Sequence, residues 1–377
     1  MKKIRIGLIG AGGMGRAHTI AYKNLTNFFG NEIVPELVVV ADVNEAAAAK
    51  MAETFGYQRS TGDWMSVVTD PEIDLIDITT PNASHCPIAI EAAKNGKNVY
   101  CEKPLAMDAE EARNATAVTD EAGIITAVGF NYLCNPIQVY VRDLIASGAL
   151  GKVVDFRGTF DQDYYNEPDQ KHEWRMFKSA SASGALGDLA SHTISLSQFL
   201  VGDVDEVCGM TSIVVPERPD PKDPSKMLPV ENDDDVHFMM RYKNGAIGTI
   251  MSNRLASGRK LSLTYEIQLT NGSIVYTQER QNEVQIYRHD DDKKQRGFKT
   301  VYAVPGHGDF DKFYPAGAGF GMSYSDLKVI EVHNALSAAA ENKPYEIDFH
   351  FATKIMEIID AVLESAETRS WVKVGKE

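Results

Sequence analysis

Three stretches of this 377-residue chain combine residue types and spacings suited to chemistry. The first is Tyr100-Cys101-Glu102-Lys103-Pro104-Leu105, where an apolar run ends abruptly in a carboxylate, an ammonium and a proline. Pro104 has no N–H and pushes Lys103 into an extended conformation, so the charged pair is held stiffly. At the end of a strand such a pair stands where α/β sheets bind ligands; otherwise it is a surface turn with a solvated Glu–Lys pair. The second stretch carries Asp188 and His192, four residues apart and so on one face of a helix. A carboxylate beside an imidazole favours the charged ring and fixes its orientation. The alternative there is an ordinary helix with Asp at its N-terminus and a His satisfied in the core. The third stretch is Gly10-Ala11-Gly12-Gly13-Met14-Gly15, a G-x-G-x-x-G turn of the kind that receives a pyrophosphate.

These residues need elements to position them. Residues 4–9 form an apolar, β-rich run directly before the glycines, and 16–24 reads as a helix directly after. Strand, turn and helix in that order are the context the dinucleotide fingerprint requires. Gly10 permits the tight turn, Gly12 lets the backbone approach a pyrophosphate, and Gly15 allows the helix to pack on the strand. Amides at the helix start, from Gly13 and Met14 onward, face the phosphates. Residues 37–41 read as the second strand, ending at Asp42, whose carboxylate suits an adenosine ribose and repels a 2′-phosphate. Asp42 lies further along than the usual spacing of about 20 residues, and 26–36, with Gly30 and Pro35, reads as an inserted loop that accounts for the excess. No Arg follows Asp42, so NAD is favoured over NADP. Asp42 as a mere cap for a helix over 44–55 is the alternative.

The alternation continues with strands over 74–79, 98–101 and 124–129 and helices over 86–95 and 108–122. That pattern predicts a parallel, doubly wound sheet. Polar residues crowd the strand ends: Asp42, Thr80 with Asn82, Glu102 with Lys103, and Asn131 with Tyr132. Beyond about residue 130 the period changes, with strands predicted over 153–161, 204–215, 236–242, 246–253, 261–270 and 273–276. Asn244-Gly245 and Asn271-Gly272 supply two-residue hairpin signals. The expected fold is α/β, with a Rossmann domain over 1–128 and, over 129–377, an α+β domain built on a large, open-faced, mostly antiparallel sheet. The helix bearing Asp188 and His192 starts at Asp188, after a Ser/Gly-rich lead-in over 181–187. Residues 216–235 read as an exposed loop in which Asp233-Asp234-Asp235 is solvated rather than a cation site. Helices are expected over 325–341 and 350–367, before a closing Trp371-Val372-Lys373-Val374.

A formal net charge of −15 disfavours nucleic acid and anionic membrane surfaces as partners. Cys86, Cys101, Cys134 and Cys208 are scattered with no CxxC pair, which suits free thiols, a reducing compartment and no metal site. No run approaches the roughly 18 apolar residues of a membrane span. The basic, then apolar, opening has no cleavage site, so a cytoplasmic protein is expected.

Together these motifs resemble the glucose–fructose oxidoreductase, inositol dehydrogenase and rhizopine-catabolism (Gfo/Idh/MocA) family. The carriers are Gly10 to Gly15, Thr80-Pro81-Asn82-Ala83-Ser84-His85, Glu102-Lys103-Pro104 and Gly187-Asp188-Leu189-Ala190-Ser191-His192. Phe156-Arg157-Gly158-Thr159-Phe160-Asp161-Gln162-Asp163, Trp174-Arg175 and the closing Trp371-Val372-Lys373-Val374 are similar to its levoglucosan dehydrogenase subgroup. The resemblance implies a Rossmann domain, a C-terminal open-faced sheet, a pyranose or cyclitol substrate between them, and a homodimer or homotetramer formed through the sheet. It makes Lys103 and His192 the acid/base pair, with Asp188 holding substrate and His192. Trp174 and Arg175 would close over the cofactor, joining Gly10, Gly12, Gly13, Met14, Gly15, Asp42, Thr80, Asn82, His85, Glu102, Lys103 and Asn131 as cofactor residues. Gln162 and Tyr324 would contact substrate hydroxyls beside Lys103, Asp188 and His192. No metal is implied.

Oxidising a secondary alcohol removes a proton from oxygen and a hydride from carbon. A base suits this best with a pKa near working pH, and His starts at about 6.5 against about 10.4 for Lys. His192 is therefore assigned the proton and Lys103 the developing alkoxide, with Glu102 serving the cofactor and Lys103. The expected activity is NAD-dependent oxidation of a secondary hydroxyl of a pyranose, anhydrosugar, glycoside or cyclitol to a ketone, of the 3-keto-sugar type. The alternatives are an enzyme that holds NAD tightly and recycles it, in glycoside 3-oxidation or glycoside cleavage, and a non-catalytic NAD-binding regulator.

Overall fold

The computed structural model of the chain describes residues 1–375 apart from 168, 316, 318 and 319. Strand β1, Lys2–Ile9, is followed by α1, Gly13–Phe29, β2, Ile33–Ala41, α2, Glu45–Phe55, β3, Arg59–Thr61, and α3, Trp64–Val68. Then come β4, Leu75–Ile78, α4, His85–Lys94, β5, Asn98–Cys101, α5, Ala109–Ala122, and β6, Thr126–Val128. All six strands pair in parallel in the order β3-β2-β1-β4-β5-β6. Their apolar runs are buried nearly throughout, as strands covered on both faces must be: Ile6, Leu8, Val40, Ile76, Ile78 and Cys101 have no more than 1% exposure. The direction of winding reverses on either side of β1, which creates the crevice at the strand ends.

The inserted loop expected over 26–36 does not exist. Helix α1 runs on to Phe29, Gly30 turns the chain with φ 75°, and β2 starts at Ile33. Gly30 and Pro35 are breakers that tertiary context absorbs. Pro35 pairs with Ile4 on one side, while β3 pairs only with Val39–Ala41, so the missing N–H of Pro35 faces an unpaired edge.

The chain continues with α6, Pro136–Ala146, β7, Val153–Asp161, the short helix α7, Lys178–Ser181, and α8, Ser191–Leu200. Next are β8, Val204–Ser212, β9, Glu217–Pro219, β10, Met227–Pro229, β11, Asp235–Tyr242, and β12, Ile247–Asn253. After these come β13, Ser262–Leu269, β14, Gly272–Thr277, β15, Glu283–Arg288, β16, Lys299–Tyr302, and α9, Phe310–Phe313. The last elements are α10, Tyr324–Glu341, α11, Phe349–Thr368, and β17, Val372–Lys373. A nine-stranded sheet has the order β16-β15-β14-β13-β7-β12-β11-β8-β17. It is antiparallel except where β12 runs parallel to β7. Strand β11 alternates cleanly, with Val236, Phe238, Met240 and Tyr242 inward and His237, Met239 and Arg241 outward. Strands β15, β16 and β17 and the β9–β10 hairpin are additions to the sequence reading.

Two compact units result: residues 1–134 with 323–356, and 135–322 with 357–377. The division expected at 128 differs from these because α10 returns to the N-terminal sheet. Helix α10 starts with a Ser323–Asp326 capping box and ends at a left-handed Asn342. Its buried residues include Leu327, Val329 and Ile330, but also Lys328 and Glu331. Among the described residues no helix is long and apolar enough to cross a membrane.

Candidate active site

In the first unit the glycine turn has the geometry of a phosphate cradle. Gly10 adopts φ 110°, and a Cβ there would lie 2.7 Å from the Thr79 carbonyl; at Gly15 it would lie 2.0 Å from the Gly10 oxygen. At Gly12 and Gly13 an added Cβ meets nothing within 4 Å, so the outer side of the turn is open. The N-terminus of α1 has no side-chain cap and no acidic residue in its first turn. Its amides and positive dipole end suit an anion. Asp42 accepts hydrogen bonds from the Ala11 N–H at 2.7 Å and the Asn44 N–H at 2.8 Å. Asn44, not Asp42, caps α2. The open glycine turn, the uncapped helix and the carboxylate ending β2 fit a dinucleotide.

The remaining rim residues are tied to one another. The Ser84 hydroxyl donates to Thr80 Oγ1 at 2.7 Å, and Asn82 is buried. Both ring nitrogens of His85 lie 2.8 Å from carbonyl oxygens, Nδ1 from that of Pro104 and Nε2 from that of Thr80. His85 thus joins the Thr-Pro-Asn turn to the Glu-Lys-Pro loop, and burial pushes its pKa down. Asn131 is buried in the turn after β6. Tyr324 at the start of α10 points its hydroxyl at Met14 Sδ, 3.8 Å away, and meets Tyr132 edge-on. That contact places it beside the glycine turn.

Beneath the half-buried Lys103 lies a charged network that sequence reading missed. Glu102 is 6% exposed, and its carboxylate turns inward instead of standing in solvent. Oε1 accepts from Lys328 Nζ at 2.8 Å and lies 2.8 Å from His18 Nε2, while Oε2 accepts the Lys103 backbone N–H at 3.2 Å. His18 Nδ1 lies 3.0 Å from both oxygens of Asp77, which also accepts from the Tyr22 hydroxyl. Lys328 pairs in addition with Glu331 at 2.6 Å, and Tyr100 donates to Glu331 at 2.5 Å. Burial opposes ionisation of Glu102, yet Lys328 and His18 hold its pKa well below the usual range. For Glu331 burial and the negative Glu102 outweigh Lys328 and push the pKa up.

In the second unit Asp188 does not open a helix. It lies inside a widened turn, Leu186–Ala190, where the Ser191 N–H reaches back five residues to the Leu186 carbonyl. Such π turns redirect side chains and recur at functional sites. Asp188 Oδ2 accepts from the Tyr164 hydroxyl at 2.8 Å and lies 3.5 Å from Arg175 Nε. Burial, then the Asp188 charge, pushes the Tyr164 phenol up, so it stays a donor. Arg175 stacks over Trp174, 4.4 Å from the ring centroid. His192, the second residue of α8, is buried and meets Phe160 edge-on. Gln162 sits just past β7, with its backbone bonded to Asn253 and Ala256.

The solvated acidic loop expected over 216–235 is a correction. Asp233 and Asp234 are buried, at 6% and 2% exposure. Asp233 accepts the Gly184 and Leu186 N–H groups, whereas Asp234 accepts those of Val214 and Val215 and pairs with Arg254 at 2.8 Å. Among the described residues no group of three or more His, Cys, Asp or Glu could hold a metal ion.

Residues 4–130 match the family described as "Oxidoreductase family, NAD-binding Rossmann fold", and 139–275 match the "GFO/IDH/MocA C-terminal domain". The chain belongs to the Gfo/Idh/MocA family. Across that family it is 39% identical to levoglucosan dehydrogenase of Pseudarthrobacter phenanthrenivorans, with 99% of each chain covered. It is 30% identical to scyllo-inositol 2-dehydrogenase (NAD(+)) of Bacillus subtilis over 55% of this chain and 57% of that one. Among solved structures, levoglucosan dehydrogenase in complex with NADH and levoglucosan superposes with a TM-score of 0.96 at 39% identity, covering 100% of both chains. An NAD-binding oxidoreductase from Klebsiella pneumoniae gives 0.93 at 39% identity, also over 100% of both. This chain is an NAD-binding oxidoreductase related to sugar and cyclitol dehydrogenases.

Proposed function

We propose that this enzyme oxidises a secondary hydroxyl of a pyranose, anhydrosugar, glycoside or cyclitol to a ketone, at the 3-position in the sugar case. The observation that carries this reading is the full-length similarity to levoglucosan dehydrogenase. Bound NAD supplies the hydride acceptor. Gly10, Gly12, Gly13, Met14 and Gly15 cradle its pyrophosphate and Asp42 takes the ribose; Thr80, Asn82, His85, Glu102, Lys103, Asn131, Trp174 and Arg175 complete its surroundings. The His192 imidazole takes the proton from the reacting hydroxyl oxygen. Lys103 Nζ stabilises the negative charge left there, helped by a backbone fixed from below through Glu102. Asp188 accepts a substrate hydroxyl and orients His192, and Tyr164 and Arg175 hold its carboxylate. Gln162 contacts a further hydroxyl. Tyr324, beside Met14, serves the substrate from the cofactor side.

Incubation with NAD and a panel of levoglucosan, inositols, free pyranoses and glucosides tests the reading. NADH accumulating with one class of substrate supports a dehydrogenase. Ketone or cleaved product without NADH supports internal recycling, and binding of NAD without any turnover supports a regulator. Exposed Met210, Met239, Ile247 and Met251 on the outer side of the nine-stranded sheet support a homodimer or homotetramer formed there, which light scattering on the Met239→Asp variant checks. Four unpaired cysteines suit a reducing, cytoplasmic setting.

A further inference from the structure

We infer that Glu231-Asn232-Asp233-Asp234 is a template that sets Arg175 and Asp188 against each other, with Asn232 and Asp233 as positioning residues for the proposed reaction. This rests on the reading of Asp188 as a substrate-holding residue.

The connection from Trp174 to Leu186 contains only a three-residue turn and the four-residue α7, and Ala182 takes a left-handed φ of 63°. Its internal hydrogen bonds are short-range, from Phe177 N–H to the Trp174 carbonyl through Ser183 N–H to the Ser181 carbonyl, so they do not by themselves hold residues 175 and 188 in register. Residues 231–234 run beside it and satisfy its backbone. The Glu231 N–H donates to the Met176 carbonyl at 3.0 Å, and its carboxylate accepts the Lys178 N–H at 2.8 Å. Asn232 Nδ2 donates to the Arg175 carbonyl at 2.9 Å and to the Ser181 hydroxyl at 2.8 Å. Asp233 accepts the Gly184 N–H at 2.7 Å and the Leu186 N–H at 2.8 Å, and its carbonyl accepts that of Ala185 at 2.9 Å. A Cβ on Gly184 would lie 1.8 Å from the Asp233 oxygen, so the two backbones meet where only glycine fits.

Consecutive residues therefore hold the backbone of Arg175 and the entry to the Asp188 turn, and their spacing along one strip sets the 3.5 Å between the two side chains. A second route reaches Asp188 from the same strip. Asp234 pairs with buried Arg254, whose guanidinium lies 4.9 Å from the centre of the Tyr165 ring; Tyr165 packs on Tyr164, the donor to Asp188.

Asp233→Asn turns an amide NH2 toward one of the two N–H groups and displaces the turn. In the intact enzyme, with the substrate class found above, kcat falls about 100-fold, the expected result of moving a substrate-holding group by about 1 Å. NADH affinity, measured by fluorescence, stays within about threefold. Asn232→Leu lowers kcat/KM for the sugar by at least about tenfold through Arg175. The deciding measurement is a double-mutant cycle. If Asp233 acts through Asp188, Asp233→Asn adds nothing to the loss in the Asp188→Asn background, whereas multiplying losses overturn the proposal. A kcat for Asp233→Asn within about twofold of wild type overturns it too. If Asp233→Asn does not fold, Asp233→Glu, which keeps the charge and moves the turn, is read in the same cycle. An Asp188→Asn enzyme with unchanged kinetics refutes instead the role of Asp188, a separate outcome.

Discussion

Replacing His18 by Gln removes a cation that two buried carboxylates share. His18 and Asp77 have no exposure, and the ring spans from Asp77 at 3.0 Å to Glu102 at 2.8 Å. Burial works against the charged ring, but the charge of Asp77 and the hydrogen bonds to Asp77 and Glu102 outweigh both burial and Lys328. They raise the pKa from 6.5 to about 9. At about 1.4 kcal/mol per unit, that rise corresponds to ~3 kcal/mol of folding stability. Because the folded pKa is raised, this stability is fully present below pH 6.5 and is lost as pH rises through about 9. Calorimetry of the intact chain from ~pH 6 to ~10 should show the transition involving the N-terminal unit falling by roughly 6–12 °C across that window. The Gln variant should be lower by ~3–5 kcal/mol near neutrality, with Asp77 and Glu102 left facing each other, and flatter with pH. A wild-type transition unmoved between those limits, or a variant with the wild-type slope, would refute the charged histidine.

Glu331→Gln should cost about 1–3 kcal/mol by urea unfolding, because it replaces a buried carboxylate that pairs with Lys328 at 2.6 Å and accepts from Tyr100 at 2.5 Å; an unchanged midpoint would refute that role. Asp42→Ala should raise the KM for NAD by roughly 10- to 100-fold, the worth of charge-assisted bonds to a ribose. It should leave kcat at saturating NAD within about threefold. His192→Ala should remove the acidic limb of the kcat/KM profile measured from ~pH 5 to ~9; persistence of the limb would transfer the proton to Lys103.

Motifs whose function lies in local backbone geometry were legible. The glycines at 10, 12 and 15, the strand ends with Asp42 and Glu102, and the hairpins at Asn244 and Asn271 all announce themselves within a few residues. What escaped were charges whose partners are distant in sequence. Lys328 and Glu331 look like the solvated face of an ordinary helix until Glu102, 226 positions away, takes the Lys328 ammonium. Asp233 and Asp234 sit in a proline-rich, acidic stretch that composition assigns to solvent, yet their acceptors serve amides at 184, 186, 214 and 215. The π turn was hidden for a different reason. The wide turn over Leu186–Ala190 continues directly into α8, so the two read as one helical run in sequence.

The return of α10 to the N-terminal sheet also orders the maturation of the chain during synthesis. A nascent polypeptide emerges at about 5–20 residues per second, and every strand of the parallel sheet is out by residue 128. His18 and Glu102 then wait for Lys328 while nearly all of the second unit is translated between them. That second unit in turn lacks its edge strand until Val372–Lys373 emerges. Residues 323–373 thus contribute to both units, and a chain truncated before residue 323 lacks part of each.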